Sequence, residues 1–257
     1  RKPERVQTTD DAVLGGRLTL RQPLKGHRVG HDAILLAAAT GARAGEQAVE
    51  FGAGVGAAGL ALAQRVPDVR VTLAEIDGEL CALAAHNAEA NGLAARVRAV
   101  AVDVEDQAAL AAVGLRPGEA GRVLMNPPFN DPARHNVSPD ARRQRAHVAP
   151  PGLLPRWVAS AAALLKAQGV LTLIWRADAL DDVLAALTPA FGAAAVLPVL
   201  PREAAEPIRI LVRAVKGVAP GRRDYAPLVL NAASGRPTAA AEAILRGGDV
   251  LPLATIA

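Results

Sequence analysis

Gln47-Ala-Val-Glu-Phe-Gly-Ala-Gly-Val-Gly-Ala-Ala-Gly-Leu-Ala-Leu-Ala-Gln-Arg65 is the stretch whose reading decides the fold. Gln47 to Glu50 is a short strand, Gly52, Gly54 and Gly56 form a tight turn, and Ala57 to Arg65 is a helix. Working downstream, the same unit repeats. Val69 to Ala74 reads as a second strand and Gly78 to Ala90 as a helix closed by Asn91-Gly92, a C-cap signal. Arg96 to Val102 is a third strand, Glu105 to Ala112 a helix, and Val123 to Met125 a fourth strand. Strands alternating with helices of this length define an α/β protein with a parallel, doubly wound sheet.

Upstream, Gly15-Gly16 between residues 11 and 23 predicts a β-hairpin, an N-terminal β-ribbon before the main domain. A helix follows over 33–39, with Asp32 as its expected N-cap and with Arg28 and the helix start facing the cleft above the glycine turn. Beyond the fourth strand, residues 130–150 form an irregular stretch carrying Arg134, Arg142, Arg143 and Arg145. A helix is expected from about Leu153 to Lys166, a strand over Gly169–Trp175 and a helix from Asp178 to Leu187. Ala195–Leu200 and Ile208–Ala214 are placed as an antiparallel pair at the sheet's edge. The tail holds a short apolar run at 228–230 and a short helix over 238–245. The expected organisation is a preamble at 1–40, the α/β domain at 41–216 and a C-terminal extension at 217–257.

Composition narrows the classes. A chain of 257 residues, 51% hydrophobic, is long enough for one large core. A single cysteine, Cys81, excludes an intramolecular disulfide and a Cys-rich zinc site, and fits the reducing cytoplasm. No apolar run is of spanning length, no export-type apolar segment opens the chain, and no metal site is expected. The net charge of +4 suits a polyanionic partner. Only Lys2, Lys25, Lys166 and Lys216 of the 29 Lys and Arg residues are lysine, and the planar guanidinium fork is the better phosphate ligand.

The strand ends carry the chemistry. The glycine turn alone is ambiguous: Gly54-Val-Gly-Ala-Ala-Gly59 satisfies a dinucleotide pattern, while Glu50-x-Gly52-x-Gly54-x-Gly56 satisfies that of S-adenosylmethionine sites. The second strand ends in Glu75-Ile76-Asp77, where a carboxylate nineteen residues after Gly56 can accept both ribose hydroxyls of either cofactor. At the third, Asp103 can accept from an adenine amino group while the backbone at Val104 meets the ring. The fourth ends in Asn126-Pro127-Pro128-Phe129. Two prolines stop the strand and stiffen the chain, and an amine clamp explains the rest. A conjugated amine or amide nitrogen is a poor nucleophile. If the Asn126 side-chain oxygen and the Pro127 carbonyl each accept one N–H, the lone pair is aimed at a methyl sulfonium, and Phe129 stacks on the flat substrate. The displacement itself needs only positioning and charge stabilisation.

With these residues in place the chain resembles the class I S-adenosylmethionine-dependent methyltransferases of the amino-directed Asn-Pro-Pro-aromatic group. Gln22-Pro-Leu-Lys-Gly-His-Arg-Val-Gly-His-Asp-Ala-Ile-Leu-Leu-Ala-Ala38 is similar to the segment before the glycine motif in bacterial tRNA (valine) adenine-N6-methyltransferases. The resemblance covers roughly residues 10 to 215. It implies a Rossmann-like, seven-stranded, mostly parallel sheet with an antiparallel edge strand. The cofactor set expected is Arg28, Asp32, Glu50, Gly52, Gly54, Gly56, Glu75, Ile76, Asp103, Val104 and Asn126, with Asn126 to Phe129 gripping the amine. Two departures stand out: Phe129 replaces the usual Tyr, and His31 occupies a place where Thr or a small residue is usual. Arg134, Arg142, Arg143 and Arg145 are expected to track an RNA backbone.

The expected activity is methyl transfer to adenine N6 in tRNA. The same motif also serves guanine N2 in rRNA, adenine in DNA and a protein glutamine amide; the short preamble, about forty residues, argues against the last. From other classes, an NAD-binding oxidoreductase and a non-catalytic RNA-binding module remain as alternatives.

Overall fold

The computed structural model describes residues 7–25, 28–129 and 152–255. The hairpin comes first: β1 (Thr8–Val13) and β2 (Leu18–Pro23) pair antiparallel across a 3-10 turn at Leu14–Gly16, where Gly15 and Gly16 take φ of 66° and 85°. Then come α1 (His31–Ala39), β3 (Gln47–Phe51), α2 (Ala57–Arg65), β4 (Arg70–Glu75), α3 (Gly78–Ala90), β5 (Val97–Ala101), α4 (Gln107–Ala112) and β6 (Ala120–Met125). The second half contributes α5 (Leu153–Leu164), β7 (Leu165–Arg176), α6 (Leu180–Leu187), β8 (Phe191–Arg202), β9 (Arg209–Lys216), β10 (Arg222–Asp224), β11 (Leu228–Asn231) and α7 (Ala239–Leu245).

The expected seven strands lie in the order β5-β4-β3-β6-β7-β9-β8, and β10 and β11 both add to the free side of β8. Only β9 runs against the others. It is the last of the seven, yet it is not at the edge: it inserts between β7 and β8. This reversal matters, because it brings the first residue of β9 to the carboxyl ends of its neighbours.

Strand parity builds three layers. Val71 and Leu73 of β4 and Leu124 of β6 pack towards α1, α2, α3 and the hairpin leucines Leu14, Leu18 and Leu20. Val49, Phe51, Val123 and Met125 pack on the opposite face against α4, α5 and α6. The tail belongs to the first layer. Leu251 donates its N–H to the Ala38 carbonyl at 2.9 Å, and Leu253 is fully buried.

The hairpin is docked by Asn87 of α3 and by Asn91, the C-cap of that helix, at i and i+4. Asn87 accepts the Arg21 N–H at 2.8 Å and donates to the Arg21 carbonyl at 3.0 Å; Asn91 repeats this with Thr19 at 2.9 and 2.8 Å. Asn87 also donates to the Val55 carbonyl at 3.0 Å, so one buried amide ties β2 to the glycine turn. Helix spacing thereby satisfies the edge of β2 as another strand would. Among the described residues no helix is long and apolar enough to cross a membrane.

Two local expectations change. Gly30, not Asp32, is the N-cap of α1, and Asp32 lies inside the first helical turn. The helix expected to Lys166 ends at Leu164, because β7 begins at once at Leu165, where a bridge to Ala120 of β6 and a register shift start the strand early.

Candidate active site

All four predicted strand ends meet at the carboxyl edge of the sheet. The glycine turn leaves β3 with φ of 63° at Gly52, 56° at Gly54 and 87° at Gly56, a left-handed backbone that glycine adopts at least cost. Their surroundings differ. A Cβ on Gly52 would stand 2.6 Å from Cη2 of Trp157, and one on Gly56 2.7 Å from Leu73, so both are required by packing. A Cβ on Gly54 would meet nothing within 4 Å. Gly54 is therefore the glycine that borders open space.

The two acids beside this turn are buried, and they divide the work. Glu50 shares the parity of Ala48, which turns it under α2, where Oε2 accepts the Gly59 N–H at 2.6 Å. Burial pushes its carboxyl up to about 8, against the pull of that N–H and with the Glu75 charge adding to the rise. Glu75 lies on the same face, with Val71 and Leu73, but at the last position of β4 it reaches the glycine turn itself. Its Oε2 accepts the Gly54 N–H at 2.7 Å and its Oε1 the Asp77 N–H at 2.9 Å. Two backbone donors fix the carboxylate plane while each oxygen keeps a further acceptor site.

Ile76, beside Glu75, is 70% exposed, a large apolar side chain open at the carboxyl edge. At the end of β5, Asp103 is exposed and accepts the Glu105 N–H at 2.9 Å; Val104 is buried, and its carbonyl accepts from the Ser160 hydroxyl. Gln107 donates to the same hydroxyl at 2.7 Å, which ties this strand end to α5.

The end of β6 is unlike the others. Asn126 Oδ1 is sealed from solvent and has no donor among the described residues. A buried amide oxygen without a partner costs about 1–3 kcal/mol, and this one has the capacity to accept an N–H. Phe129 meets Trp175 edge to face, with centroids 5.6 Å apart at 69°, and the Arg209 guanidinium lies 4.5 Å over its ring.

Both preamble residues are held in ion pairs. Arg28 donates to Asp11 Oδ2 at 2.6 Å, an oxygen that also takes donors from Thr9 and Gln22, so it secures the hairpin. Asp32 pairs with Arg209 at 2.9 Å. Arg134, Arg142, Arg143 and Arg145 fall outside the described residues.

Sequence reasoning missed Arg209, Trp157 and Trp175. The tryptophans are two of only six aromatics, a signal that was available. Arg209 gave none, because its approach to Phe129 depends on β9 being inserted and reversed.

A parallel sheet with one inserted antiparallel strand, a glycine turn and ligand groups at successive carboxyl ends defines a Rossmann-like methyltransferase fold. The methyltransferase small domain family matches residues 28–198, and the chain belongs to that family. A tRNA1(Val) (adenine(37)-N6)-methyltransferase of Porphyromonas gingivalis is 34% identical over 164 residues, 61% of each chain. A release factor glutamine methyltransferase of Chlorobaculum tepidum is 31% identical over 141 residues, 52% of this chain and 47% of that one. The chain thus spans about three fifths, and in the second case half, of the length of these curated relatives. Among solved structures, a predicted O-methyltransferase of Agrobacterium tumefaciens has a TM-score of 0.72 at 28% identity, covering 86% of this chain and 98% of its own. A 16S rRNA N2 methyltransferase of T. thermophilus, solved with AdoMet and guanosine, shares the fold at a TM-score of 0.57 and 20% identity, covering 84% and 52%.

The family makes S-adenosylmethionine the cofactor, and the residues fit it: an open turn at Gly54, a fixed carboxylate at Glu75, and an exposed apolar Ile76. The literal dinucleotide match does not decide the cofactor, because the close helix–strand packing of its last glycine is common to both patterns; the family match decides it. That glycine, Gly59, lies in the first turn of α2, where a Cβ would strike Leu73 at 2.3 Å and Glu50 at 2.8 Å.

Proposed function

We propose that this chain transfers a methyl group from S-adenosylmethionine to an exocyclic amino nitrogen, that of adenine in tRNA, in the cytoplasm. The observation that carries the reading is the buried Asn126 Oδ1 at the end of β6, which has no partner among the described residues. When bound, the cofactor supplies an electrophilic methyl group. The protein's part is to hold the ribose through Glu75, to support the flat ring between Ile76 and the backbone at Val104, and to present the amine. Asn126 Oδ1 accepts one amine N–H and the Pro127 carbonyl the other, which draws the nitrogen lone pair out of conjugation and towards the methyl carbon. Phe129 gives the acceptor ring a stacking surface. Relatives that modify adenine in tRNA over the same stretch support adenine as the acceptor.

A protein glutamine amide is the second reading, and the release factor relative favours it. An amide and an adenine amine present the same pair of N–H donors to Asn126, so the clamp serves both. Tritiated methyl transfer from S-adenosylmethionine to RNA, DNA and protein fractions from a strain lacking the protein separates the readings. Label in the RNA fraction is expected. Label in protein alone would move the assignment to the amide, and label in no fraction would refute methyl transfer.

A further inference from the structure

Arg209 is the first residue of β9, the reversed strand, and so it stands at the carboxyl edge beside the amine clamp. It is far from free there. Nε donates to Asp32 Oδ2 at 2.9 Å and Nη1 to the Ile208 carbonyl at 2.9 Å, which fixes the plane of the guanidinium. That plane lies 4.5 Å from the Phe129 centroid. In the β7–β9 ladder Arg209 is directly opposite Arg176, which is held by Asp178 at 2.6 Å. Like charges opposite one another weaken a sheet, and here each arginine is balanced by its own carboxylate, Asp32 or Asp178.

The freedom left to Phe129 is small and specific. Pro127 and Pro128 fix the backbone leading to it, so the ring's side-chain torsions are the main motion that remains. Trp175 meets the ring edge to face, and Arg209 covers one of its two faces. We propose that Arg209, held by Asp32, is a positioning residue for the methyl acceptor: it occupies one face of Phe129 and commits the other to the flat base. This rests on the reading of Asn126 to Phe129 as the acceptor clamp. The inference extends that reading to α1 and β9, neither of which carries a residue of the motif.

The test uses Arg209→Met, which keeps an apolar cover of similar length and removes the planar cation, together with Arg209→Lys and Asp32→Asn. Calorimetry with S-adenosylhomocysteine reports the cofactor side, and steady-state methyl transfer to the labelled RNA reports acceptor KM and kcat. Arg209→Met is expected to raise acceptor KM by about five- to tenfold, the size of a cation–π contact of roughly 1 kcal/mol, while leaving S-adenosylhomocysteine affinity unchanged. Lysine should restore part of the loss, and Asp32→Asn should raise acceptor KM without adding fully to Arg209→Met. A merely structural arginine would lower folded yield and cofactor affinity together and would leave KM alone. An unchanged acceptor KM in Arg209→Met, with Asn126→Ala still inactive, overturns this inference only. Should Arg209→Met not fold, an unchanged KM in Arg209→Lys and Asp32→Asn overturns it equally. An inactive native chain overturns the clamp reading beneath it.

Discussion

The two halves of the carboxyl edge are finished to different degrees. On the side of β3, β4 and β5, the protein meets its own polar groups: Glu75 takes the N–H groups of Gly54 and Asp77, Glu50 that of Gly59, and Asp103 that of Glu105. On the side of β6, the Asn126 oxygen is buried and has no donor among the described residues. Under the proposed function, the first half is organised in advance for the cofactor, and the second keeps one acceptor for the incoming amine. An enzyme that must accept an electrophile of fixed shape and then orient a weak nucleophile benefits from this division.

Breaking the open half should have the largest effect. Asn126→Ala is expected to reduce turnover by roughly a hundredfold or more, the usual scale for losing one group that stabilises the reacting centre, with S-adenosylhomocysteine affinity unchanged. Calorimetry paired with single-turnover rates checks this, and equal loss in both would merge the two halves. Glu75→Ala should do the reverse. Losing a carboxylate that receives ligand hydroxyls should weaken cofactor binding by about tenfold or more, with acceptor KM little changed.

The glycines sharpen the comparison within the first half. Gly52→Ala drives a methyl group into Trp157 at a φ of 63°, so a stability loss of about 2 kcal/mol is expected in urea unfolding. Gly54→Ala, at a φ of 56° with open space ahead, should lose cofactor affinity out of proportion to stability. If the two variants behaved alike, Gly54 would not border the cofactor.

The smallest effect on activity is expected from Glu50→Gln. In the folded chain the Glu50 carboxyl is pushed up to about 8 from 4.5, so the native state binds the proton more tightly than the unfolded chain does. Its contribution is full below about 4.5 and is lost as pH rises through about 8. Glutamine can still accept the Gly59 N–H but carries no charge. The variant should therefore match the native chain in thermal unfolding at pH 5 and exceed it at pH 8.5, with turnover near native. A large loss of cofactor affinity would instead make Glu50 a direct ligand.

Much of the fold was legible because α/β periodicity is local. The glycine turn, the succession of strands β3 to β6 along the chain and the hairpin at Gly15-Gly16 each follow from residues close in sequence. The insertion of β9 was not legible, since its pairing with β7 joins Val170 to Val215 and Arg176 to Arg209, partners far apart in sequence. The same gap hid the partner of Phe129. Asp32 shows a subtler limit: Asp beside a helix start reads as a cap, but Gly30 has the extended backbone of the cap and Asp32 spends its carboxylate on Arg209. Glu50 was legible only as an acid at a strand end; that it lies beneath α2 and takes the Gly59 N–H depends on how closely the helix packs on the sheet.

The central claim is that the buried Asn126 oxygen presents an adenine amine to the methyl donor. Nucleoside mass spectrometry of RNA methylated by the native chain and by Asn126→Ala tests it most directly. The account predicts N6-methyladenosine from the native chain, in the tRNA fraction, and almost none from the variant. N2-methylguanosine as the product, or N6-methyladenosine in equal yield from both proteins, would contradict it.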